Sequence, residues 1–254
     1  MTHFNINRNN SLMVLEELVN QNITTQLKYM PDSFNEQQDQ ALQFFKQRIF
    51  LEKTIDESIS FNKNIVFPNK NKNLHLATTA EDLVDVFKLR SDIYTNINYQ
   101  NEFPDMIEGL NFDKYDSNSA ILFYKKDNTI TGTTRLIFDS DNLLPSESNY
   151  SFNDVRKIYT SISEVSRLAV KHENKRLNFE FKYLFGAIHD ISQYNNMQIT
   201  LFGIKKEHYK LYSKFGGITI LKELETYGSF SMPCLIISWD PSKVSPFFKK
   251  AFLK

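Results

Sequence analysis

The segment Ile162–Val170, with the sequence ISEVSRLAV, most constrains the fold of this chain of 254 residues. Its apolar positions run almost from end to end, which is typical of a strand inside a sheet. Glu164 and Arg167 nevertheless place two charges in this apolar run. A buried charge is costly unless it is paired or used. The sequence therefore indicates an inner strand that carries either a structural ion pair or a functional site.

The order of the other elements predicts a mixed α/β sheet. Thr79 is expected to cap a helix, Asp127-Asn128 to turn a hairpin, and Gly216-Gly217 to end the last helix. The predicted strands cover 74–78, 120–126, 129–138, 161–170, 197–204, 218–224 and 234–239. The predicted helices of this part cover 79–93, 175–194 and 207–215, and a polar loop covers 95–118.

The N-terminal part of the chain, residues 1–72, has a different sequence pattern from the rest. Residues 1–10 are expected to be disordered, and helices are expected from Ser11 and across 34–60. The segment 61–73 is rich in Asn and Lys and is predicted to be a linker. We therefore expect an N-terminal helical extension and linker at residues 1–72, and a main domain with a C-terminal tail at residues 73–254.

Composition excludes several classes of protein. The net charge is zero, which argues against a general nucleic-acid binder. The single cysteine, Cys234, excludes a disulfide framework and a cysteine-rich zinc site, and it is expected to be a buried thiol. No apolar run approaches the length of a membrane span, and the polar N-terminus lacks the apolar core of a signal peptide. A cytoplasmic protein is expected.

Charges in three earlier segments complement those of ISEVSRLAV. They are Arg90 on the first helix of the main domain, Asp113 and Asp116 in the polar loop, and Arg135 on a strand. Three of these residues have a simpler interpretation: Arg90 could face a helix C-terminus, and the two aspartates could be turn residues in a solvated loop. Glu164 and Arg167 could likewise form only a structural ion pair, and Tyr94 could belong to the core.

Four motifs in this order carry a resemblance to a known family. They are VFKLRSDIY (86–94), the D-x-x-D of Asp113 and Asp116, GTTRL (132–136) and ISEVSRLAV. Together they resemble the GNAT superfamily, in the branch of autoinducer (acyl-homoserine-lactone) synthases and N-acyl amino acid synthases. The resemblance covers about residues 74–240. It implies a GNAT acyltransferase fold with splayed central strands, and N-acylation of an amino acid or a related amine by a fatty acyl group.

Departures from the family pattern refine this expectation. Asn111 replaces an acid, Gln100 replaces the tryptophan of autoinducer synthases, and no proline follows the Arg-Leu strand. These differences weaken homoserine-lactone synthesis and leave N-acylation of an amino acid. The loop Lys171–Asn178 lacks the glycines that cradle pyrophosphate in acetyl-CoA enzymes, which favours acyl carrier protein as donor. Lys175 or Arg176 could still hold the phosphates of acyl-CoA.

The resemblance also implies roles for individual residues. Glu164 would be the general base, directly or through a water molecule, and backbone N–H groups at a bulge in this strand would polarise the thioester. The arginines would balance the aspartates and hold the acceptor's carboxylate. The implied catalytic residues are Glu164 and Arg167, and the acceptor-binding residues are Arg90, Tyr94, Asp113, Asp116 and Arg135. The implied donor-binding residues are Leu168, Val170, Lys175 and Arg176. Neither a metal nor a permanently bound cofactor is expected. The expected co-substrate is acyl-phosphopantetheine, carried by acyl carrier protein, or acyl-CoA.

Other segments bear on substrates and partners. Phe-rich positions at 179–185 and strand 197–202 could line an acyl slot or form ordinary core. Lysines around 206–215 could guide an acidic carrier protein or form a solvated face. The tail at 242–254 could contact a membrane surface or pack on its own domain. His189-Asp190 is not expected to be a dyad because adjacent helical side chains point apart, and His172 lies in the donor-side loop.

Two other functions compete with N-acylation by a fatty acyl group. One is CoA-dependent N-acetylation of a small amine or a protein. The other is a non-catalytic GNAT-like module that binds a lipid or a protein.

Overall fold

The computed structural model describes residues 32–69, 71–171, 179–228 and 231–253. The chain divides into two compact units, Met1–Asp56 and Glu57–Lys254. Helix α1 (Asp32–Asn64) contains the helix predicted at 34–60, and the helix predicted from Ser11 lies outside the described residues. Among the described residues no helix is both long and apolar enough to cross a membrane.

The predicted linker is wrong at its start, since α1 continues through Asn64. The reason is that the last turns of α1 are attached to the sheet. The Asn62 side chain donates to the Ser119 carbonyl at 3.1 Å and accepts from the Ile121 N–H at 2.9 Å. The Phe61 ring meets Phe138 edge-on, with ring centroids 5.2 Å apart. Asn62 therefore satisfies backbone groups of a strand instead of forming a linker.

The larger unit is built on a seven-stranded sheet with the order β1-β2-β3-β4-β5-β7-β6. Neighbouring strands are antiparallel, except that β4 and β5 are parallel. The strands are β1 (Leu74–Leu76), β2 (Ser119–Lys126), β3 (Thr129–Phe138), β4 (Ile162–Val170), β5 (Ile199–Lys205), β6 (Ile218–Leu224) and β7 (Cys234–Trp239). This mixed α/β sheet confirms the predicted fold class.

Five further helices belong to this unit in the part of the chain that the structure describes. They are α2 (Ala80–Asn96), α3 (Asn153–Ile158), α4 (Phe179–Tyr194), α5 (Tyr209–Tyr212) and α6 (Pro246–Phe252). Thr79 caps α2 by accepting from the Asp82 N–H at 3.2 Å, as predicted. The predicted helix at 207–215 is instead a 3₁₀ turn, Lys206–His208, followed by the single turn of α5. Helix α3 was not predicted from the sequence.

The main core lies between the sheet and helices α4 and α6. Leu184, Phe185 and Ile188 of α4 are buried in it together with Trp239. Gly186 allows the close approach of α6, because a Cβ there would lie 2.6 Å from the Phe252 carbonyl oxygen. The C-terminal tail therefore packs on its own domain through Phe248 and Phe252, which are both buried.

Strand β4 has two halves with different neighbours. Its first half pairs with β5 from Ile162 to Val165, and its second half is hydrogen-bonded to β3 alone. A bulge interrupts the β3–β4 ladder where Thr133 pairs with Ala169 but Arg135 pairs with Ser166. At this bulge Arg167 has a φ of 54°, in the left-handed region. The central strands therefore splay, as predicted.

Candidate active site

A cavity of about 340 Å³ opens where β4 and β5 part. Residues Val165–Val170 of β4 and Phe202–Lys205 of β5 form two of its walls. Tyr94, Phe103 and Tyr227 border it from other elements. A second opening of about 700 Å³ shares Leu168 and Val170 with the first and continues past Phe181 and α5. Both volumes are in the range of small-molecule sites.

Five charged residues from four segments meet beside this cavity. We call Arg90, Asp113, Asp116, Arg135 and Arg167 the arginine–aspartate cluster. Arg135 holds Asp113 with two bonds, of 2.6 and 2.9 Å, and reaches Asp116 at 3.0 Å. Arg90 donates to Asp116 at 2.8 Å, and Arg167 donates to Asp113 at 2.8 Å. The structure thus brings together five of the six charged residues that the sequence singled out. The sixth, Glu164, is not a member of this cluster.

These contacts determine which ionised forms are stable. Burial alone would raise the pKa of Asp113, but Arg135 and Arg167 outweigh it and hold that pKa well below its usual range. Burial opposes the charge of Arg135 as well, yet Asp113 and Asp116 raise its pKa. Arg90 is fully buried and its pKa is lowered by that burial, despite its bond to Asp116. The cluster is therefore a set of charges held by mutual compensation.

The simpler interpretations of these residues do not match the geometry. Arg90 lies inside α2 and is fully buried, so it does not face a helix end. Asp116 is buried as well, so it is not a solvated turn residue. Arg167 bonds to Asp113, and the pair between Glu164 and Arg167 is absent among the described contacts. Tyr94 is buried, as a core residue would be, and also borders the cavity.

Glu164 has a different environment, made of neutral donors. The Ser146 hydroxyl donates to one oxygen of its carboxylate at 2.7 Å, and the Ser146 N–H donates to the other at 3.2 Å. Glu164 is 2% exposed. Burial raises its pKa to about 7, although the bonds from Ser146 and the charge of Arg135 act in the opposite direction. The carboxyl can therefore exchange a proton near neutral pH.

Tyr227 connects this buried group to the cavity. Its hydroxyl lies 2.9 Å from the Ser146 hydroxyl, and its side chain borders the cavity, which Glu164 and Ser146 do not. Burial, followed by the nearby Glu164, raises the pKa of Tyr227 to about 12. Sequence reasoning missed both Ser146 and Tyr227, because they lie in segments without a periodic pattern.

Charged contacts fix the turn that carries Ser146. The 3₁₀ turn Pro145–Ser148 follows the loop after β3, and its Glu147 accepts two bonds from Arg156 at 2.6 Å. The same guanidinium donates to Asp139 at 2.7 and 2.8 Å. Arg156 lies on α3, so this short helix ties the turn to the end of β3. The contacts of Arg156 with Glu147 and Asp139 were not predicted from the sequence.

Arg167 forms part of the cavity wall. Its guanidinium lies 4.3 Å from the Phe103 ring centroid and 5.6 Å from that of Tyr94. One of its terminal nitrogens, Nη1, is buried and has no hydrogen-bond partner among the described residues. A guanidinium at a cavity wall is suited to bind an anionic group of a ligand.

The expected donor side is described in part. Leu168 and Val170 border both openings, whereas Lys175, Arg176 and His172 lie outside the described residues. Of the lysines singled out from the sequence, Lys205, Lys210 and Lys214 border the larger opening, and Lys206 pairs with Glu223. Phe181 borders the larger opening, whereas Phe185 is buried core that also reaches the smaller cavity.

Three other residues were singled out from the sequence, namely His189, Asp190 and Cys234. His189 Nδ1 and Asp190 Oδ1 are 3.2 Å apart, so these neighbours meet although adjacent helical side chains were expected to point apart. Neither borders the openings, and the His189 ring packs against Trp239 and Phe248. Cys234 is a buried thiol, as predicted.

Comparison with known proteins gives a consistent result. Residues 85–240 match the family model described as N-acyl amino acid synthase FeeM. The chain resembles the solved structure of FeeM, an N-acyl amino acid synthase from uncultured soil microbes, with 18% identity and a TM-score of 0.52. That similarity covers 71% of this chain and 99% of the other. None of the curated proteins matches the chain.

Two further solved structures share the fold. The AHL synthase LasI is 13% identical, with a TM-score of 0.54 over 70% of this chain and 93% of the other. The CoA-dependent acyl-homoserine lactone synthase BjaI, solved with SAM and isopentyl-CoA, is 16% identical, with a TM-score of 0.51. It is matched over 68% of this chain and 81% of its own. At these identities the structures establish the fold alone.

Proposed function

The chain belongs to the FeeM family of N-acyl amino acid synthases and is an N-acyltransferase, and we propose that it transfers a fatty acyl group from acyl carrier protein to the α-amine of an amino acid. One observation carries the proposal. A buried carboxyl with a pKa of about 7, Glu164, is hydrogen-bonded through Ser146 to the wall of the cavity between the splayed strands. Acyl transfer to an ammonium needs such a proton acceptor.

The charge of the site supports an acceptor with a carboxylate. In the arginine–aspartate cluster three guanidinium groups face two carboxylates, so guanidinium groups outnumber carboxylates within the cluster by one. Arg167 is the member of the cluster that borders the cavity, and its buried Nη1 has no hydrogen-bond partner among the described residues. An amino-acid carboxylate at this guanidinium would balance the charge and point the amine into the cavity.

The splayed half of β4 supports the thioester's position. After Val165 this strand lacks its β5 neighbour, so main-chain groups that a sheet would pair instead border the cavity. A pantetheine arm can pair with such an edge, as an added strand does. Backbone N–H groups of the bulge at 166–168 are then available to stabilise the oxyanion that forms when the amine attacks.

The larger opening supports a long acyl chain and a negatively charged donor. Leu168, Val170, Phe181 and Leu211 give it apolar walls. Lys205, Lys210 and Lys214 stand around it, with Glu207 as the acidic residue of the wall. A positive rim steers an acidic partner toward the opening. Acyl carrier protein is acidic and delivers its acyl group on a phosphopantetheine arm.

Mass spectrometry of lipid extracts tests the reaction. Cells that express the wild-type chain should contain a long-chain N-acyl amino acid that is absent from cells expressing Glu164→Gln, because glutamine cannot accept the proton. Glu81→Gln is the matched control, since Glu81 is an exposed carboxylate on α2. No such product from the wild type, with all common amino acids supplied, would contradict the proposal.

A kinetic comparison of acyl carrier protein and acyl-CoA tests the donor. The double variant Lys210→Glu, Lys214→Glu should raise KM for acyl carrier protein about tenfold or more, because it reverses two charges of the rim. The acceptor's KM should not change. The matched control reverses Lys88 and Lys126, which are exposed and border neither opening. Equal use of both donors, with no effect of the rim variant, would refute the carrier-protein assignment.

A further inference from the structure

Glu164 has no direct contact with the cavity that would hold the acceptor. Its two oxygens are occupied by the N–H and the hydroxyl of Ser146, and it does not border the cavity. A general base must lie within hydrogen-bond reach of the proton that it removes, or be connected to it. The proton must therefore reach Glu164 through intervening groups.

The structure supplies two hydroxyl groups in the required place. A serine hydroxyl has one proton, and that of Ser146 points to Glu164 at 2.7 Å. The 2.9 Å contact between Ser146 and Tyr227 must then be donated by Tyr227. The direction of both bonds therefore runs from the cavity wall inward, from Tyr227 to Ser146 to Glu164. The Tyr227 oxygen keeps its lone pairs for a donor on the cavity side.

We propose that Tyr227 is a catalytic residue, which receives the proton of the acceptor's ammonium and, with Ser146, relays it to Glu164. This inference rests on the proposed function. The ammonium N–H transfers its proton to the Tyr227 oxygen, while Tyr227 passes its own proton to Ser146 and Ser146 passes its own to Glu164. Both hydroxyl groups are regenerated, the amine becomes neutral, and the carboxylate becomes a carboxylic acid. Tyr227 need not ionise at any stage.

The surroundings of the relay suit this transfer. Besides Ser146, Glu164 faces Arg135 and Glu147, and Tyr227 faces Glu164, Glu102 and Cys234. The high pKa of Tyr227 keeps its phenol neutral, so that it transmits a proton without storing one. Arg156 fixes Glu147 and hence the turn that carries Ser146. The turn thus holds Ser146 between Glu164 of the buried strand and Tyr227 at the cavity wall.

Kinetics of Tyr227→Phe with the donor and acceptor defined by the lipid analysis test the relay. At pH 7 kcat should fall about tenfold to a hundredfold with little change in the acceptor's KM, because the proton path is cut while the ring remains. The loss should shrink as the pH rises toward the pKa of the amine, since a neutral amine needs no relay. Ser146→Ala should behave in the same way, and circular dichroism of each variant checks its fold.

Matched controls separate the relay from general effects. Tyr150→Phe removes a hydroxyl from a tyrosine of the same apolar cluster that does not border the cavity, and Ser148→Ala removes one from the same turn as Ser146. Both should retain wild-type kcat. A wild-type kcat in Tyr227→Phe, with Glu164→Gln inactive, would overturn the relay and leave the proposed function standing. A loss that is the same at every pH, or that appears only in KM, would also overturn the relay. Absence of any N-acyl product from the wild type would overturn both.

Discussion

Asp113 and Glu164 are two carboxylates of one site whose environments drive their pKa values in opposite directions. Both are desolvated, which on its own raises a carboxyl pKa. Asp113 is held by the guanidinium groups of Arg135 and Arg167, whereas Glu164 is held by the neutral donors of Ser146. The charge of the partners, rather than the depth of burial, therefore decides whether a carboxyl in this site is an anion or a proton acceptor.

The difference assigns separate tasks to the two regions. The pKa of Asp113 is held well below its usual range, so Asp113 is charged at neutral pH and serves to position Arg135 and Arg167. Glu164 changes its protonation near pH 7, so it can act in turnover. Three substitutions test this difference between Asp113 and Glu164, and each replaces one of the side chains that create it.

Arg135→Met should give the largest effect, because it removes the charge that compensates both aspartates. Breaking a buried pair on one side costs about 3–5 kcal/mol in the free energy of unfolding. Urea denaturation at pH 7 measures it. Arg48→Met is the control, since Arg48 forms an exposed pair with Glu52, and such a pair contributes at most about 1 kcal/mol. A change below about 1 kcal/mol for Arg135→Met would mean that the cluster does not hold Asp113 as an anion.

Glu164→Gln should stabilise the protein at high pH, whereas Arg135→Met should destabilise it. The pKa of Glu164 is about 7 in the folded chain and about 4.3 when unfolded, so the folded state binds the proton more tightly. Its stabilising contribution is present below pH ~4.3 and is lost as the pH rises through about 7. The variant should therefore match the wild type near pH 4 and exceed it at pH 8 by on the order of 3–4 kcal/mol, while kcat falls about a hundredfold.

Urea denaturation of both proteins across this pH range is the measurement. Glu81→Gln, at an exposed carboxylate on α2, is the control that is measured beside it. If Glu164→Gln were less stable than the wild type at pH 8, the carboxylate would be stabilised in the fold, and the contrast with Asp113 would disappear.

Ser146→Ala should have the smallest of the three effects, and that effect is on the pKa of Glu164. It removes one neutral donor from the carboxylate of Glu164, whose pKa should rise by roughly one further unit, corresponding to about 1 kcal/mol. Infrared titration of the buried carboxyl measures this pKa in the resting protein. Ser148→Ala should leave the midpoint unchanged, since its hydroxyl bonds to the Pro145 carbonyl. An unchanged midpoint in Ser146→Ala would show that the Ser146 hydroxyl does not contribute to the pKa of Glu164.

The sequence predicted the sheet and the arginine–aspartate cluster well, for a physical reason. Strand alternation and the Asp127-Asn128 turn are local signals, and the observed φ values of 48° and 63° at these two residues are those of a type I′ turn. Arg90, Asp113 and Arg135 stand in apolar or ordered surroundings where a lone charge is costly. The order of the motifs along the chain therefore identified residues that lie together in the folded protein.

The partners of Glu164 could not be predicted in the same way. Ser146 and Tyr227 are 81 residues apart in the sequence and lie in loops, where hydroxyl residues are common and carry no period. The alternative of a structural ion pair between Glu164 and Arg167 is not found among the described contacts, because the bulge turns Arg167 toward Asp113. Register shifts of this kind depend on tertiary contacts that local sequence does not encode.

The left-handed backbone at Arg167 has a consequence for any attempt to improve this protein. For a residue other than glycine this conformation costs about 1–2 kcal/mol, so Gly or Asn at 167 would relieve the backbone. The same replacement would remove the guanidinium from the cavity wall. Libraries sorted only for heat resistance should therefore accumulate inactive clones at this codon, and libraries sorted for product should keep arginine there. Position 167 thus distinguishes selection for durability from selection for chemistry.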